Sequence, residues 1–290
     1  MADGRWTILF DVDRCNGCSN CILATLDEHA DEDHLPYSAA MPRHGAKWFD
    51  LRTVERGAFP TIDVAYVPQK TCMHCENAPC LAAGRGAVQR REDGVIIIDP
   101  VSAKGRKDLV SACPFGAIHW NDQDDLPQHW TLDAHLLDSG WKEPRAAQAC
   151  PTGALSVRKM NAHEVSALPV QGFQQSPAHR SVGARLHIRG LHRIESLLIG
   201  GSLAQLIDGR EEPLVGVRVA LASTEGHRAE VVTDPFGEFR FDGLPLLHGP
   251  IKLSVRQRDV EHHWDVQSDP REPGRYRVGV LMLPSVDFQQ

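Results

Sequence analysis

Two short stretches decide the fold: Cys15-Asn16-Gly17-Cys18-Ser19-Asn20-Cys21 and Cys72-Met73-His74-Cys75-Glu76-Asn77-Ala78-Pro79-Cys80. The first spaces its cysteines C-x2-C-x2-C, the second C-x2-C-x4-C. Two more cysteines stand alone in matching frames, Cys113-Pro114-Phe115-Gly116-Ala117-Ile118 and Cys150-Pro151-Thr152-Gly153-Ala154-Leu155. Together these are all 8 cysteines of the 290-residue chain. Three close thiolates completed by a remote Cys-Pro is a ligand pattern of the [4Fe–4S] cluster. Applied twice, it uses every cysteine and predicts two [4Fe–4S] clusters.

A sequence made of nested halves joins its outermost elements to each other and its innermost elements to each other. That order assigns Cys15, Cys18, Cys21 and Cys150 to one cluster, and Cys72, Cys75, Cys80 and Cys113 to the other. Two rival readings of the cysteines are weaker. Disulfides require an oxidising compartment, and the N-terminus has no basic stretch followed by an apolar one, so no secretory signal is read. Structural zinc also uses C-x2-C, but typically in two pairs rather than a triplet and a lone Cys-Pro.

Composition agrees with a globular protein of two domains. Hydrophobic residues make up 42% and charged residues 24%, and no apolar run approaches the ~20 residues that span a bilayer. The net charge of −7 argues against nucleic acid, whose partners present basic surfaces. A cytoplasmic location is expected.

Taken in order, residues 6–12 read as a strand leading into the first cysteine loop, and residues 22–26 as a helix start. Residues 27–71 form a long insertion without strong periodicity, either a contact surface for another subunit or a cover over the clusters. His74, beside a cluster ligand, is expected to act by hydrogen bonding rather than as a proton carrier. Residues 95–98 read as a buried strand. Residues 103–112 and 144–149 read as two helical units that deliver Cys113 and Cys150, each stopped by the following proline. From 156 to 185 the chain is polar and irregular, a linker or an arm, with Asn161 and Glu164 spaced to cap a short helix.

The last hundred or so residues, an ordinary size for a small domain, contain no cysteine. Val215, Val217, Val219 and Leu221 alternate with other residues, as do Phe239 and Phe241, then Ile251, Leu253 and Val255, then Tyr276, Val278, Val280 and Met282. Period-two alternation marks strands with one buried face. The overall expectation is α+β: a ferredoxin-like two-cluster domain over 1–190, with a polar linker from about 156, followed over 191–290 by an antiparallel Greek-key β-sandwich. The stretch Thr233-Asp-Pro-Phe-Gly-Glu-Phe-Arg-Phe241 resembles the transthyretin-like and carboxypeptidase-regulatory sandwiches.

The cysteine region resembles the four-cluster electron-transfer subunits of the dimethyl-sulfoxide-reductase superfamily, which share the nested ligand order. In those subunits a further cysteine follows each triplet; here Thr25 and Gly84 occupy the slots. Trp130, Asp133 and Ala146 stand at other vacated positions, so two ligand sets look emptied and two complete. Cys72–Cys80, Arg91-Glu-Asp-Gly94, Ile98-Asp-Pro100, Ala134-His-Leu-Leu-Asp138 and the C-terminal strands together are similar to the small iron–sulfur subunits of pyrogallol–phloroglucinol transhydroxylases, or of resorcinol-hydroxylase-type relatives. The resemblance spans essentially the whole chain. It implies a heteromeric complex whose large subunit holds molybdenum on two pyranopterin guanine dinucleotides and transfers hydroxyl to, or hydroxylates, a polyhydroxylated aromatic ring. This chain would carry electrons and supply no catalytic residue. The family's small subunit keeps three clusters, whereas this sequence retains ligands for two. The alternatives are the electron-transfer subunit of another molybdenum reductase of the superfamily, a scaffold with structural metal sites, or a free-standing two-cluster ferredoxin. The insertion and the extra domain weigh against the last.

Overall fold

The computed structural model describes residues 4–257 and 259–284. The chain divides into two compact units, one of residues 1–53 and 65–191, the other of residues 54–64 and 192–290. The secondary structure is mostly β, with few and short helices.

In the first segment the elements run Arg5–Asp11 (β1), Asn20–His29 (α1), Asp50–Ala58 (β2), Thr61–Gln69 (β3), Pro79–Gly84 (α2), Val88–Arg90 (β4), Ile96–Ile98 (β5), Asp108–Ala112 (α3), His119–Asn121 (β6), Leu126–Gln128 (β7), Ala134–Asp138 (α4), Arg145–Gln148 (α5), Leu155–Met160 (β8), Ala162–Ser166 (α6), Pro177–Ser181 (α7) and Leu186–Arg189 (β9). β1 is the middle strand of a sheet, antiparallel to β8 and parallel to β9. Ile8, Leu9 and Phe10 are buried along it, and Val12 just beyond it. β4–β5 and β6–β7 are two-stranded hairpins.

Four expectations change here. The stretch predicted as an irregular polar arm supplies one partner of β1, β8, and leads directly into the other, β9. Its strands are short, and Arg158 and Lys159 at the end of β8 are exposed, so alternation is lost where a strand end meets solvent. Asn161 does cap α6: its Oδ1 accepts from the Glu164 amide at 2.9 Å, and Glu164 Oε2 accepts from the Asn161 amide at 2.7 Å. The insertion over 27–71 is not merely a loop. Met41, Trp48 and Phe49 are buried, and β2 with β3 forms a hairpin. Residues 54–64 of that hairpin group with the C-terminal unit, so the N-terminal unit is not continuous to 190. Finally, the helical turn before Cys113 is only α3; residues 100–105 are turns.

The second unit continues with His192–Glu195 (α8), Leu197–Ile207 (β10), Arg210–Pro213 (β11), Arg218–Ser223 (β12), Arg228–Val232 (β13), Glu238–Leu244 (β14), Ile251–Gln257 (β15), Val260–Val266 (β16), Ser268–Asp269 (β17), Glu272–Tyr276 (β18) and Gly279–Leu283 (β19). One sheet runs β13-β12-β15-β16, antiparallel throughout. The other is built on β10, which pairs antiparallel with β14 and β11 and parallel with β19. Ile199, Leu203, Phe239, Phe241 and Leu281 from one sheet share a core with Val219, Leu221, Leu253 and Val255 from the other. Tyr276 is fully buried there, its hydroxyl donating to the Gly249 carbonyl at 2.7 Å. In the same unit Arg56, 6% exposed, donates from Nη2 to Asp63 Oδ2 at 2.7 Å and from Nη1 to Asp242 Oδ1 and Ser196 Oγ, both at 2.9 Å.

Candidate metal centres

The cysteine loops are built from matching parts. Cys113 caps the C-terminus of α3, and Ala149, the residue before Cys150, caps that of α5; the proline after each cysteine prevents the helix from running on. The chain then turns back identically: the Gly116 amide donates to the Cys113 carbonyl at 3.1 Å, and the Gly153 amide to the Cys150 carbonyl at 3.2 Å. Beyond each turn an amide reaches the sulfur, Ala117 N–H to Cys113 Sγ and Leu155 N–H to Cys150 Sγ, each at 3.4 Å. The first triplet lies just before and within the start of α1. Gly17 there has φ +72°, and a Cβ would fall 2.4 Å from Tyr66 Cζ. Only glycine fits that position.

Cys72, Cys75, Cys80 and Cys113 line one cavity, whose other walls include Ile96, Phe115, Ile118 and His129. Burial pushes the Cys72 thiol far up and the Cys75 and Cys80 thiols to about 12 and about 11, and the neighbouring thiols of the set add to it. Cys15, Cys18, Cys21 and Cys150 form the second set. Burial, then the other thiols, raises Cys15 and takes Cys21 to about 12. Burial also pushes Cys150 up, but N–H groups from Leu155 and Ala154 and the Thr152 hydroxyl outweigh it and hold this thiol below its ordinary value. Four thiolates held close together need compensating positive charge, in the second set even though Cys18 is exposed. Metal ions supply it, and amides aimed at sulfur stabilise the bound form. Each set of four therefore fits a metal cluster, and a single structural zinc would fit the donor set as well.

His74 is buried, and its Nδ1 accepts from the Ile96 amide at 2.9 Å. That bond places its proton on Nε2, which has no partner within the protein among the described residues. Burial first, then His129 and Arg185, lowers its pKa far below the usual imidazole range. The ring is neutral and is fixed by accepting from the β5 backbone.

The positions expected to have lost ligands are packed shut. Thr25, Trp130, Asp133 and Ala146 are all buried. Trp130 Nε1–H donates to Asp133 Oδ1 at 3.2 Å, His29 Nε2 lies 2.8 Å from the same oxygen, and the Arg145 amide donates to Oδ2 at 2.8 Å. A Cβ on Gly84 would stand 2.5 Å from Val88 Cγ2, so no cysteine fits that slot without displacing β4. His29, which closes this polar plug, lies in the insertion and carries no sequence motif. The sequence alone does not reveal it.

The 4Fe-4S dicluster domain matches residues 62–160. The small subunit of pyrogallol hydroxytransferase from Pelobacter acidigallici is 36% identical over 244 residues, covering 83% of this chain and 87% of that one. This protein belongs to the family of that iron–sulfur subunit. More distant similarity follows the same line. A sulfite dehydrogenase subunit of Allochromatium vinosum is 29% identical over 51% of this chain and 65% of its own length. One polypeptide of the anaerobic dimethyl sulfoxide reductase of Escherichia coli is 27% identical over 52% of this chain and 72% of its own. These are subunits of oxidoreductases. As an iron–sulfur subunit the chain is a non-catalytic part of an enzyme. Among the described residues no helix is long and apolar enough to cross a membrane.

Proposed function

We propose that this chain is the electron-transfer subunit of a molybdenum oxidoreductase acting on polyhydroxylated aromatic rings. In this reading it holds two [4Fe–4S] clusters, one on Cys15, Cys18, Cys21 and Cys150, the other on Cys72, Cys75, Cys80 and Cys113. The partner is a large subunit carrying molybdenum on two pyranopterin guanine dinucleotides, and the complex is cytoplasmic. The observation that carries the reading is the gathering of eight cysteines into two sets of four, in a chain of this family. The last hundred residues, about one small domain, serve in docking. Their order of strands is read as a Greek-key sandwich of the transthyretin or carboxypeptidase-regulatory type.

Bound clusters would supply one-electron transfer at potentials set by burial, charge and hydrogen bonds to sulfur. This chain's own residues do the tuning. Ala117 and Leu155 amides and the Thr152 hydroxyl donate to cysteine sulfur. Ile96, Phe115 and Ile118 keep water from one set. The plug of Trp130, Asp133 and His29 fills space between elements that a further cluster would need. Substrate chemistry belongs to the partner.

The test is iron and acid-labile sulfide per chain in the anaerobically purified complex. About eight irons are expected. Cys18→Ser and Cys75→Ser should each lose about four and lower turnover with an external electron acceptor. Zinc in the cysteine sites, or full redox-linked turnover with one cluster gone, would sink the proposal.

A further inference from the structure

Glu28 near the end of α1, His34 in the segment after it, and His135 in α4 bring three ligand atoms within 4.8 Å of one another. His135 Nε2 lies 2.8 Å from Glu28 Oε1, and His34 Nε2 lies 3.9 Å from the same oxygen. The two imidazoles stack, with centroids 3.7 Å apart and planes 9° from parallel. Glu28 Oε2 points the other way and accepts from Arg145 Nη1 at 2.8 Å. None of these groups belongs to the cysteine sets.

We propose that Glu28, His34 and His135 form a zinc site separate from the cysteine centres. Two imidazoles and one monodentate carboxylate are a zinc donor set, with water as the fourth ligand. The three side chains are 11–14% exposed, so solvent can reach the fourth position. Arg145 does for Glu28 what an outer-shell partner does for a metal ligand: it holds one oxygen and turns the other toward the ion. His34 Nε2, now 2.7 Å from the Glu28 carbonyl, exchanges that bond for the metal. The ion ties α1, the following segment and α4 together. His29 of the plug is the last residue of α1 and Asp133 directly precedes α4, so the site clamps the ground beside the plug. It is a structural clamp and performs no reaction.

The experiment loads the intact, iron-replete complex with zinc chloride, dialyses it, and counts zinc and iron per chain. Wild type should retain about one zinc with its iron unchanged. His34→Gln and His135→Gln should lose it, and Arg145→Gln should weaken binding about 10- to 100-fold. No zinc in wild type, or equal zinc in the histidine variants, overturns the proposal. X-ray absorption at the zinc edge of the unaltered complex decides the matter even where a variant loses iron. Imidazole nitrogens at about 2.0–2.1 Å support the site, while a shell of sulfur at about 2.3 Å overturns it. The sulfur shell would also expose zinc in the cysteine sets, so failure here and failure of the cluster reading are told apart.

Discussion

Arg91 grips Asp138 with both ends of its guanidinium, Nη1 to Oδ2 at 2.8 Å and Nη2 to Oδ1 at 2.6 Å. The two residues stand 47 positions apart in the chain, in two of the short stretches that carry the family resemblance. Tyr37 adds a third bond, its hydroxyl donating to Asp138 Oδ2 at 2.6 Å. The arrangement fastens α4 to the turn before β5.

That contact has a pH signature. The Arg91 hydrogen bonds, opposed by partial burial and aided by Tyr37, bring the Asp138 carboxyl down to about 2, against about 3.9 in an unfolded chain. A carboxyl lowered on folding stabilises above its unfolded value and stops doing so as pH falls through its folded value. The contribution is therefore whole above about pH 5 and fades between about pH 4 and pH 2. Asp138→Asn should lower stability at neutral pH by no more than about 1 kcal/mol, since the carboxylate is partly exposed. The gap between wild type and variant in urea midpoints should shrink from pH 6 to pH 3. A gap that stays constant would contradict the assignment.

Thr152 is positioned to tune one centre. Its Oγ1 lies 3.7 Å from Cys150 Sγ, and a hydroxyl donating to sulfur favours the more negative, reduced state. Thr152→Val should shift that cluster's midpoint potential to more negative values while leaving iron content unchanged. A hydrogen bond worth about 1 kcal/mol sets a ceiling of about 40 mV for one electron. Redox titration followed by electron paramagnetic resonance measures it, with the cluster of the other cysteine set as internal control.

Asp133 is the keystone of the plug. Burial would raise its pKa, but His29, the Arg145 amide and the Trp130 indole hold it down. Asp133→Ala strands all three partners in a dry site and should cost about 3–5 kcal/mol. Asp133→Asn keeps the shape and an acceptor oxygen and should cost less. Thermal unfolding of the two variants side by side separates lost packing from lost charge.

Arg56 is the matching case in the second unit. Its buried guanidinium serves Asp63, Asp242 and Ser196. Arg56→Ala should destabilise by about 3 kcal/mol, the lower end for a broken buried pair because Asp242 is partly exposed. Arg56→Lys keeps the charge but not the fork and should recover only part of the loss. Chemical unfolding read by tryptophan fluorescence gives both numbers.

What the sequence makes legible follows from physics. Cysteine spacing is a local constraint, and the two frames opening with Cys-Pro read directly as turns that present sulfur. The strands β12, β14 and β15 show because one face of each is wet. β10 does not show, although it is the longest strand. It is paired along both edges, and Leu197 to Gly201 are buried on both faces, so alternation disappears. β8 and β9 are hidden for a different reason: each is a short partner of β1, and its register is set by that distant strand. The plug is half legible. Trp130 and Asp133 stand where the resemblance led vacated ligand positions to be expected, while His29 and His34 come from a segment without any periodic signal.

The hairpin of β2 and β3 has a genetic consequence. Residues 54–64 belong with the C-terminal unit, yet they are encoded between the two cysteine triplets. Arg56 and Asp63 lie in that piece, while Asp242 and Ser196 lie in the tail. A recombination event that appended the last hundred codons, the size of one small domain, would deliver a β unit without its buried arginine. The tail and the insertion are thus expected to be inherited as a pair. Relatives that lack one should lack the other, and a chimera made by swapping the tail alone should fold poorly until residues 54–64 travel with it.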